Sequence, residues 1–340
     1  MLTRLKRAGW ASLLAAATAG AMCGAAEPPH WVLAIHGGAG GLPKGLSAAQ
    51  IDAIRAALKS ALDAGSKTLA DGGASLDAVQ AAVHTMENSG VLNAGRGAVL
   101  DHKGLAELDA ALMDGATRRA GAVAALRHVA NPIDLARQVM EHSPAVLLTG
   151  LGAEEFAKER GVVLQPDSYF ITERRRKELD RALEAEKHPT TDVPRAWQTL
   201  GTVGAVAFDT HGNLAAATST GGLTNKPYGR VGDSPIIGAG TYAENGVCAI
   251  SATGAGEYFI RYTAASNVCA RVKYEHAAIA AAARAVLDEM KAAGGEGGLI
   301  AIDGHGTVAM PFSSESMLRG QADASGRREV IVETAPSQQP

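Results

Sequence analysis

The sequence predicts an α+β fold in which sheets are covered by layers of helices. Three observations carry that reading. Strand-like runs come in groups, as in Thr202–Phe208 followed by Leu214–Thr218, and helical runs come in groups as well. Strict alternation of strand and helix is missing, so a wound parallel sheet is disfavoured. Glycine is abundant at 40 of 340 residues while aromatics make up only 4%, which implies tight turns around a core of Ala, Val, Leu and Ile. With 46% hydrophobic and 20% charged residues the chain is neither disordered nor a polytopic membrane protein.

The N-terminus reads as an export leader over residues 1–26. Arg4, Lys6 and Arg7 form a basic start, Ala8 to Ala21 an apolar stretch, and Gly24-Ala25-Ala26 a small-residue cleavage site before Glu27. The stretch is too short and too rich in Ala and Gly for a membrane span. A lipoprotein leader at Cys23 is disfavoured by the bulky Met22. The expectation is a periplasmic or secreted protein with no membrane contact once the leader is gone.

From there the elements follow in order. Trp31–Ile35 reads as a strand running into a glycine turn. Ala48–Leu69 and Leu76–Met86 space apolar residues three and four apart, as helices do. After a glycine-punctuated loop, Asn88–Gly97, strands are expected at Leu105–Met113 and Ala120–Leu126, a helix at Pro132–Glu141 and a strand at Ala145–Thr149. The charged run Glu173–Glu178, with Pro189 and Pro194 behind it, reads as part of a mobile connector spanning about residues 172–201. Beyond it, Thr202 opens a hairpin whose turn is Asp209–Asn213. Further strands are expected at Ser234–Ile237 and Val247–Ser251, helices at Tyr258–Cys269 and Glu275–Ala292, and a last hairpin of Leu299–Asp303 with Thr307–Pro311.

Several chemistries are excluded. Outside the leader the chain is net acidic, because only three of its 32 basic side chains and none of its 35 acids fall in the first 26 residues. Nucleic acid is therefore not an expected partner. Histidines show no zinc spacing, and Cys248 and Cys269 belong to no Cys/His cluster, so both are expected as separate buried apolar residues. Gly37-Gly38-Ala39-Gly40-Gly41 is not a dinucleotide fingerprint, since Pro43 stands where the third glycine belongs in the frame starting at Gly38. No cofactor is expected.

An ordered set of motifs changes the level of the reading. His36-Gly37-Gly38-Ala39-Gly40, Asn93-Ala94-Gly95-Arg96-Gly97 and Glu107-Leu108-Asp109-Ala110 through Met113-Asp114-Gly115 precede Gly201-Thr202-Val203-Gly204-Ala205-Val206-Ala207. Thr218-Ser219-Thr220-Gly221-Gly222, Gly229-Arg230-Val231-Gly232-Asp233-Ser234-Pro235 and Thr253-Gly254-Ala255-Gly256 follow. In this order, over residues 31 to about 312, they resemble the plant-type asparaginase and isoaspartyl peptidase family of N-terminal nucleophile hydrolases. The resemblance implies a four-layer αββα sandwich cut between Gly201 and Thr202 into an α-chain of residues 27–201 and a β-chain of 202–340. It further implies an (αβ)2 heterotetramer.

The chemistry is coherent with those residues. A threonine hydroxyl needs a base to become a nucleophile, and a freed α-amine titrates near pH 7.7–8.0, so Thr202 can supply both. Gly201 offers no Cβ to obstruct attack on its carbonyl. Arg230 presents a planar fork for an α-carboxylate and Asp233 an acid for an α-ammonium. The resemblance implies that Val231, Gly232, Ala255 and Gly256 complete the substrate site. By the same resemblance Thr253 and the Gly254 amide stand at the oxyanion position, Thr220 supports Thr202, and Asn93 helps position the site. The resemblance also implies a structural sodium ion held by main-chain oxygens of Glu87, Ser89, Leu92, Ala94 and Arg96. His36 is the rival base, against a packed turn residue. The expected activity is hydrolysis of isoaspartyl dipeptides and L-asparagine, small amino-acid or dipeptide substrates, with release of L-aspartate. Glycosylasparagine hydrolysis is the nearest alternative, and a non-catalytic exported binding protein is the alternative from another class.

Overall fold

The computed structural model describes residues 30–40, 46–187 and 201–332. The expected leader, the rest of the expected connector at residues 188–200, and the last eight residues lie outside them. The elements in order are β1 (Val32–Ala39), α1 (Ala48–Ala70), α2 (Ser75–Asn88), β2 (Leu108–Asp114), β3 (Ala120–Leu126), α3 (Pro132–His142), β4 (Leu147–Thr149), α4 (Gly150–Glu159) and α5 (Glu173–Lys187). Then come β5 (Val203–Phe208), β6 (Leu214–Thr220), β7 (Thr241–Glu244), β8 (Cys248–Gly254), α6 (Gly256–Arg261), α7 (Ala264–Glu275), α8 (Ile279–Ala292), β9 (Gly297–Asp303), β10 (Val308–Ala309), β11 (Met317–Asp323) and β12 (Arg328–Ile331). The α+β class is as the sequence predicts.

Eight strands form one sheet in the order β12-β11-β1-β5-β6-β2-β3-β4, and four form another in the order β10-β9-β8-β7. Only β3 and β4 run parallel among the named pairs. The central strands bury both faces, and alternation sorts their side chains. Leu33, Ile35, Val203, Ala205, Ala207, Ala215 and Ala217 face α1 and α2. Val32, Ala34, Val206, Phe208, Leu214 and Ala216 instead meet Ala249, Ile300 and Ile302 of the smaller sheet. The repeated alanines keep side chains short where the two sheets touch. Helices α7 and α8 cover the other face of the smaller sheet around Ile250, Ala252, Val268 and Leu287.

Four expectations are corrected. The charged run is helical, as α5, with Arg175 only 2% exposed. Its Nε donates to the Gly97 carbonyl at 2.7 Å, and Arg174 donates to the Val91 carbonyl at 2.8 Å, so the run is docked on the glycine loop. Ser234–Ile237 is a turn, not a strand: Pro235 has no N–H for a ladder, and Ile236 N–H closes onto the Asp233 carbonyl at 2.9 Å. The expected helix Tyr258–Cys269 is broken at Thr263, whose φ of 44° is left-handed. Cys248 and Cys269 are not separate thiols. They form a disulfide joining β8 to α7, with Cα atoms 5.7 Å apart, inside the range such a bridge requires.

Candidate active site

The site grows out of the hairpin that begins at Thr202. Strand β5 lies between β1 and β6, with Gly204 opposite His36 on one side and Val203 opposite Ser219 on the other. Thr202 is thereby fixed at the strand's head, 7% exposed. Its hydroxyl donates to Thr220 Oγ1 at 3.2 Å. Thr220 closes β6, and the Gly222 amide donates to its hydroxyl oxygen at 3.0 Å.

Asn93 supports this corner from behind. Its Nδ2 donates to the Gly222 carbonyl at 2.8 Å and its Oδ1 accepts from Val99 N–H at 2.9 Å. Fully buried, it orders the turn after Thr220 and does not line the cavity. Glu87 does a similar job through Ser219, whose hydroxyl donates to its Oε1 at 2.6 Å, while Asn131 and Ile133 N–H also donate to it. Burial pushes the Glu87 carboxyl up to about 8 against those hydrogen bonds.

His36 is wholly buried. Its Nδ1 meets the Thr202 carbonyl at 3.1 Å and its Nε2 meets Ser251 Oγ at 2.9 Å. A carbonyl can only accept, so Nδ1 carries the hydrogen and Nε2 accepts from Ser251. Burial lowers the ring's pKa to about 3 although the bond to Thr202 opposes this. A neutral imidazole with both nitrogens engaged on the main chain and Ser251 is not placed as a base for the Thr202 hydroxyl.

Gly38, with a φ of 118°, lies against the peptide that precedes Thr202. A Cβ there would stand 2.4 Å from the Gly201 carbonyl oxygen, so only glycine admits this approach. Thr253 is buried at the end of β8, and its Oγ1 accepts from Ala39 N–H at 3.0 Å, which ties the glycine turn to the smaller sheet. Gly254, next to it, lines the cavity with a φ of 147°.

The cavity holds about 410 Å³, within the usual range for small-ligand sites. Its lining has two sources in the fold, a first wall of Thr202 and Thr220 from the head of β5 and the end of β6, and a second of Arg230, Gly232 and Asp233 from the connection between β6 and β7; Gly254 and Ala255 line it too. Asp233 is 3% exposed, and its Oδ2 is buried without a partner. Burial raises its pKa to about 7, opposed by a main-chain hydrogen bond and by the Arg230 charge, and reinforced by Glu257 and Asp109. A buried acid oxygen with nothing to bind is costly unless a ligand donates to it.

A family model described as asparaginase matches residues 29–332. The isoaspartyl peptidase of Salmonella typhimurium is 46% identical over 297 residues, covering 85% of this chain and 94% of that protein. The isoaspartyl peptidase of Escherichia coli is 47% identical over 296 residues, covering 85% and 91%. The isoaspartyl peptidase/L-asparaginase of Mus musculus is 43% identical, covering 84% and 86%. The chain belongs to this asparaginase family.

Within the asparaginase frame, the structure brings Thr202, Thr220, Arg230, Gly232, Asp233, Gly254 and Ala255 to one cavity, and sets Asn93, Thr253, Val231 and Gly256 outside its lining. Sequence reasoning missed Glu257, Tyr258 and Ser314, which also line it. Glu257 directly follows a recognised motif, which was the available signal. The loop from Glu87 to Arg96 is closely folded: Cβ atoms on Gly95 and Gly97 would stand 2.6 Å and 2.2 Å from the Glu87 and Leu92 carbonyl oxygens. Such main-chain oxygens suit a hard cation, although the Ala94 carbonyl already accepts from Gly97 N–H at 3.1 Å. Among the described residues no cluster of three or more His, Cys, Asp or Glu could hold a metal, and no helix is long and apolar enough to cross a membrane.

Proposed function

We propose that this protein is a threonine amidohydrolase that cuts itself between Gly201 and Thr202 and then releases L-aspartate from β-aspartyl dipeptides and L-asparagine. The observation that carries the reading is that one cavity is lined by Thr202, by Arg230 and by Asp233, whose Oδ2 has no partner. The names of the bacterial and mouse relatives support the same substrate class. Isoaspartyl dipeptides and asparagine share a β-amide beside a free α-carboxylate and α-ammonium, so one clamp serves both.

In maturation the Thr202 hydroxyl attacks the Gly201 carbonyl carbon, the peptide C–N bond breaks, and water hydrolyses the resulting ester. Thr202 gains a free α-amine. In turnover that amine takes the hydroxyl proton as the oxygen bonds to the substrate's β-carbonyl carbon. By resemblance the developing oxyanion falls to Thr253 and the Gly254 amide, of which Gly254 lines the cavity and Thr253 directly precedes it in β8. Collapse breaks the C–N bond, and the Thr202 ammonium returns the proton to the departing nitrogen, as ammonia or an amino acid. Water, deprotonated by the same amine, hydrolyses the aspartyl ester and frees Thr202.

The processed chains 27–201 and 202–340 then form the four-layer αββα frame and pair as (αβ)2. The Glu87, Ser89, Leu92, Ala94 and Arg96 oxygens would hold a sodium ion that orders the loop behind Asn93. Export to a periplasm or beyond fits both the leader-like N-terminus and the Cys248–Cys269 disulfide, which persists in oxidising compartments. The deciding experiment resolves the purified protein on a denaturing gel and assays β-aspartyl-leucine, L-asparagine and glycosylated asparagine. Two chains and turnover of the first two substrates are expected. A single chain without turnover would leave a binding protein, and turnover of the glycosylated substrate alone would replace the substrate class.

A further inference from the structure

Arg230 already meets a carboxylate, and it is the protein's own. Glu257 Oε1 accepts from Arg230 Nε at 2.9 Å, and Glu257 Oε2 accepts from Nη2 at 3.1 Å. This is a two-point pair along one edge of the guanidinium. The other end, bearing Nη1 and the remaining Nη2 hydrogen, is untouched by Glu257.

Two glycines lie against the fork. Cβ atoms built on Gly232 and Gly256 would stand 2.7 Å from Nη1 and Nη2 respectively, so both glycines leave the guanidinium the room it occupies. Arg230 and Glu257 both line the cavity, the arginine side chain 16% exposed and the glutamate 45%. Asp233 lies within electrostatic reach of both but makes no side-chain bond to either, and its Oδ2 stays unpartnered.

We infer that Glu257 is the positioning residue of the clamp: by taking the Nε/Nη2 edge of Arg230 it presents the Nη1/Nη2 end to the α-carboxylate of an amino-acid substrate and keeps Arg230 off Asp233. The two acids thus divide the work. Glu257 orients the cation, and Asp233 is left free for the ligand's ammonium. Without Glu257 the fork is free to turn toward Asp233, which silences both poles of the clamp. This rests on the reading of Arg230 and Asp233 as the holders of the α-groups.

The test uses the processed enzyme and L-aspartate as the probe, with its Kd measured by calorimetry, together with KM and kcat for L-asparagine. Glu257→Ala should weaken L-aspartate and raise KM on the order of tenfold, while kcat and self-cleavage hold. Glu257→Gln, which keeps one acceptor for the fork, should fall between the two. Should Glu257→Ala fail to mature, Glu257→Gln decides alone through the same split between KM and kcat. An unchanged Kd overturns the inference, and a tighter one shows that Glu257 competes with the ligand. A loss confined to kcat or to folding overturns it too, because it marks a merely structural residue. Wild-type protein that binds L-aspartate but turns over no amide would sink the proposed reaction and leave this inference standing. Wild-type protein that does not bind L-aspartate sinks the clamp and this inference together.

Discussion

The two walls of the cavity are built on opposite principles. The nucleophile wall stands on sheet: Thr202 heads β5 and Thr220 ends β6. Its polar groups are paired, from the Thr202–Thr220 bond to a run of contacts joining Thr241, Thr218, Ser251, His36 and the Thr202 carbonyl. The clamp wall stands on turns between β6 and β7, and it leaves Asp233 Oδ2 and Ser234 Oγ buried without partners. The difference tells where ligand energy is used. A nucleophile must be placed before substrate arrives, so the fold itself fixes it. A clamp must gain on binding, and the fold leaves the Asp233 side chain, which lines the cavity, less fully paired than the threonines opposite it in role.

The largest test removes the first wall's one reactive group. Thr202→Ala should leave a single uncut chain with no amidase activity, because the side chain that opens the Gly201 carbonyl is the one that later opens the substrate. Processing at the same bond in that variant, seen by mass spectrometry, would refute self-cleavage. Next comes Arg230→Lys, which keeps the charge but loses the planar fork and the two-point pairing with Glu257. It should lower kcat/KM for L-asparagine by roughly 100-fold while self-cleavage survives, since maturation involves no α-carboxylate. Equal damage to both would erase the distinction between the walls.

How much of this was legible in the sequence follows the same division. Thr202 could be found because the β-rich run after it and the motifs around it are contiguous. Its hydroxyl partner Thr220 lies in the adjoining strand, 18 residues on. Arg230 and Asp233 are three residues apart in one motif, and both line the cavity. His36 was singled out, but its bond spans 166 residues, so its actual contact with the Thr202 carbonyl was not readable. The Cys248–Cys269 bridge was missed because 21 residues of separation say nothing about a strand packing on a helix. The charged segment misled because its anchor is one buried arginine on a distant carbonyl, which composition averages away. Strands β11 and β12 were missed for a related reason: Arg319, Gly320 and Gln321 dilute the β pattern of β11, and pairing rather than propensity makes both strands, β11 against β1 and β12 against β11.

A smaller effect comes from the waiting acid. Burial holds the Asp233 carboxyl near 7, far above the ordinary value of 3.8. As pH falls through 7 it takes up a proton and its attraction for an ammonium is lost. L-aspartate affinity should drop by approaching tenfold per unit below that point, whereas succinate, which has no ammonium, should not follow. For the empty enzyme the sign reverses. A carboxyl with a raised folded pKa favours the folded state fully below 3.8, and that contribution is lost as pH rises through 7. Parallel pH profiles for the two ligands would show that Asp233 does not hold the ammonium.

The smallest expected effect is on the pH limb of catalysis when the buried histidine is replaced. If the Thr202 amine is the base, kcat/KM rises with pH through an amine whose reference value is about 7.7–8.0, modulated by whatever Asp233 adds. His36 cannot supply that limb from where it stands: one nitrogen donates to the Thr202 carbonyl, the other accepts from Ser251, and burial keeps the ring neutral down to about 3. His36→Gln should therefore leave the limb where it is, at a stability cost of about 1–3 kcal/mol for the buried hydrogen bonds it disturbs. The cost should shrink in acid. A histidine whose folded pKa is depressed contributes stability above its ordinary 6.5 and loses it as pH falls toward 3, and glutamine has no such dependence. Thermal melts of both proteins from pH 7 to pH 4 would show the gap closing. Should the limb instead move or vanish in a folded, processed His36→Gln enzyme, the base would have to be sought outside Thr202, and the nucleophile wall would no longer be complete in one residue.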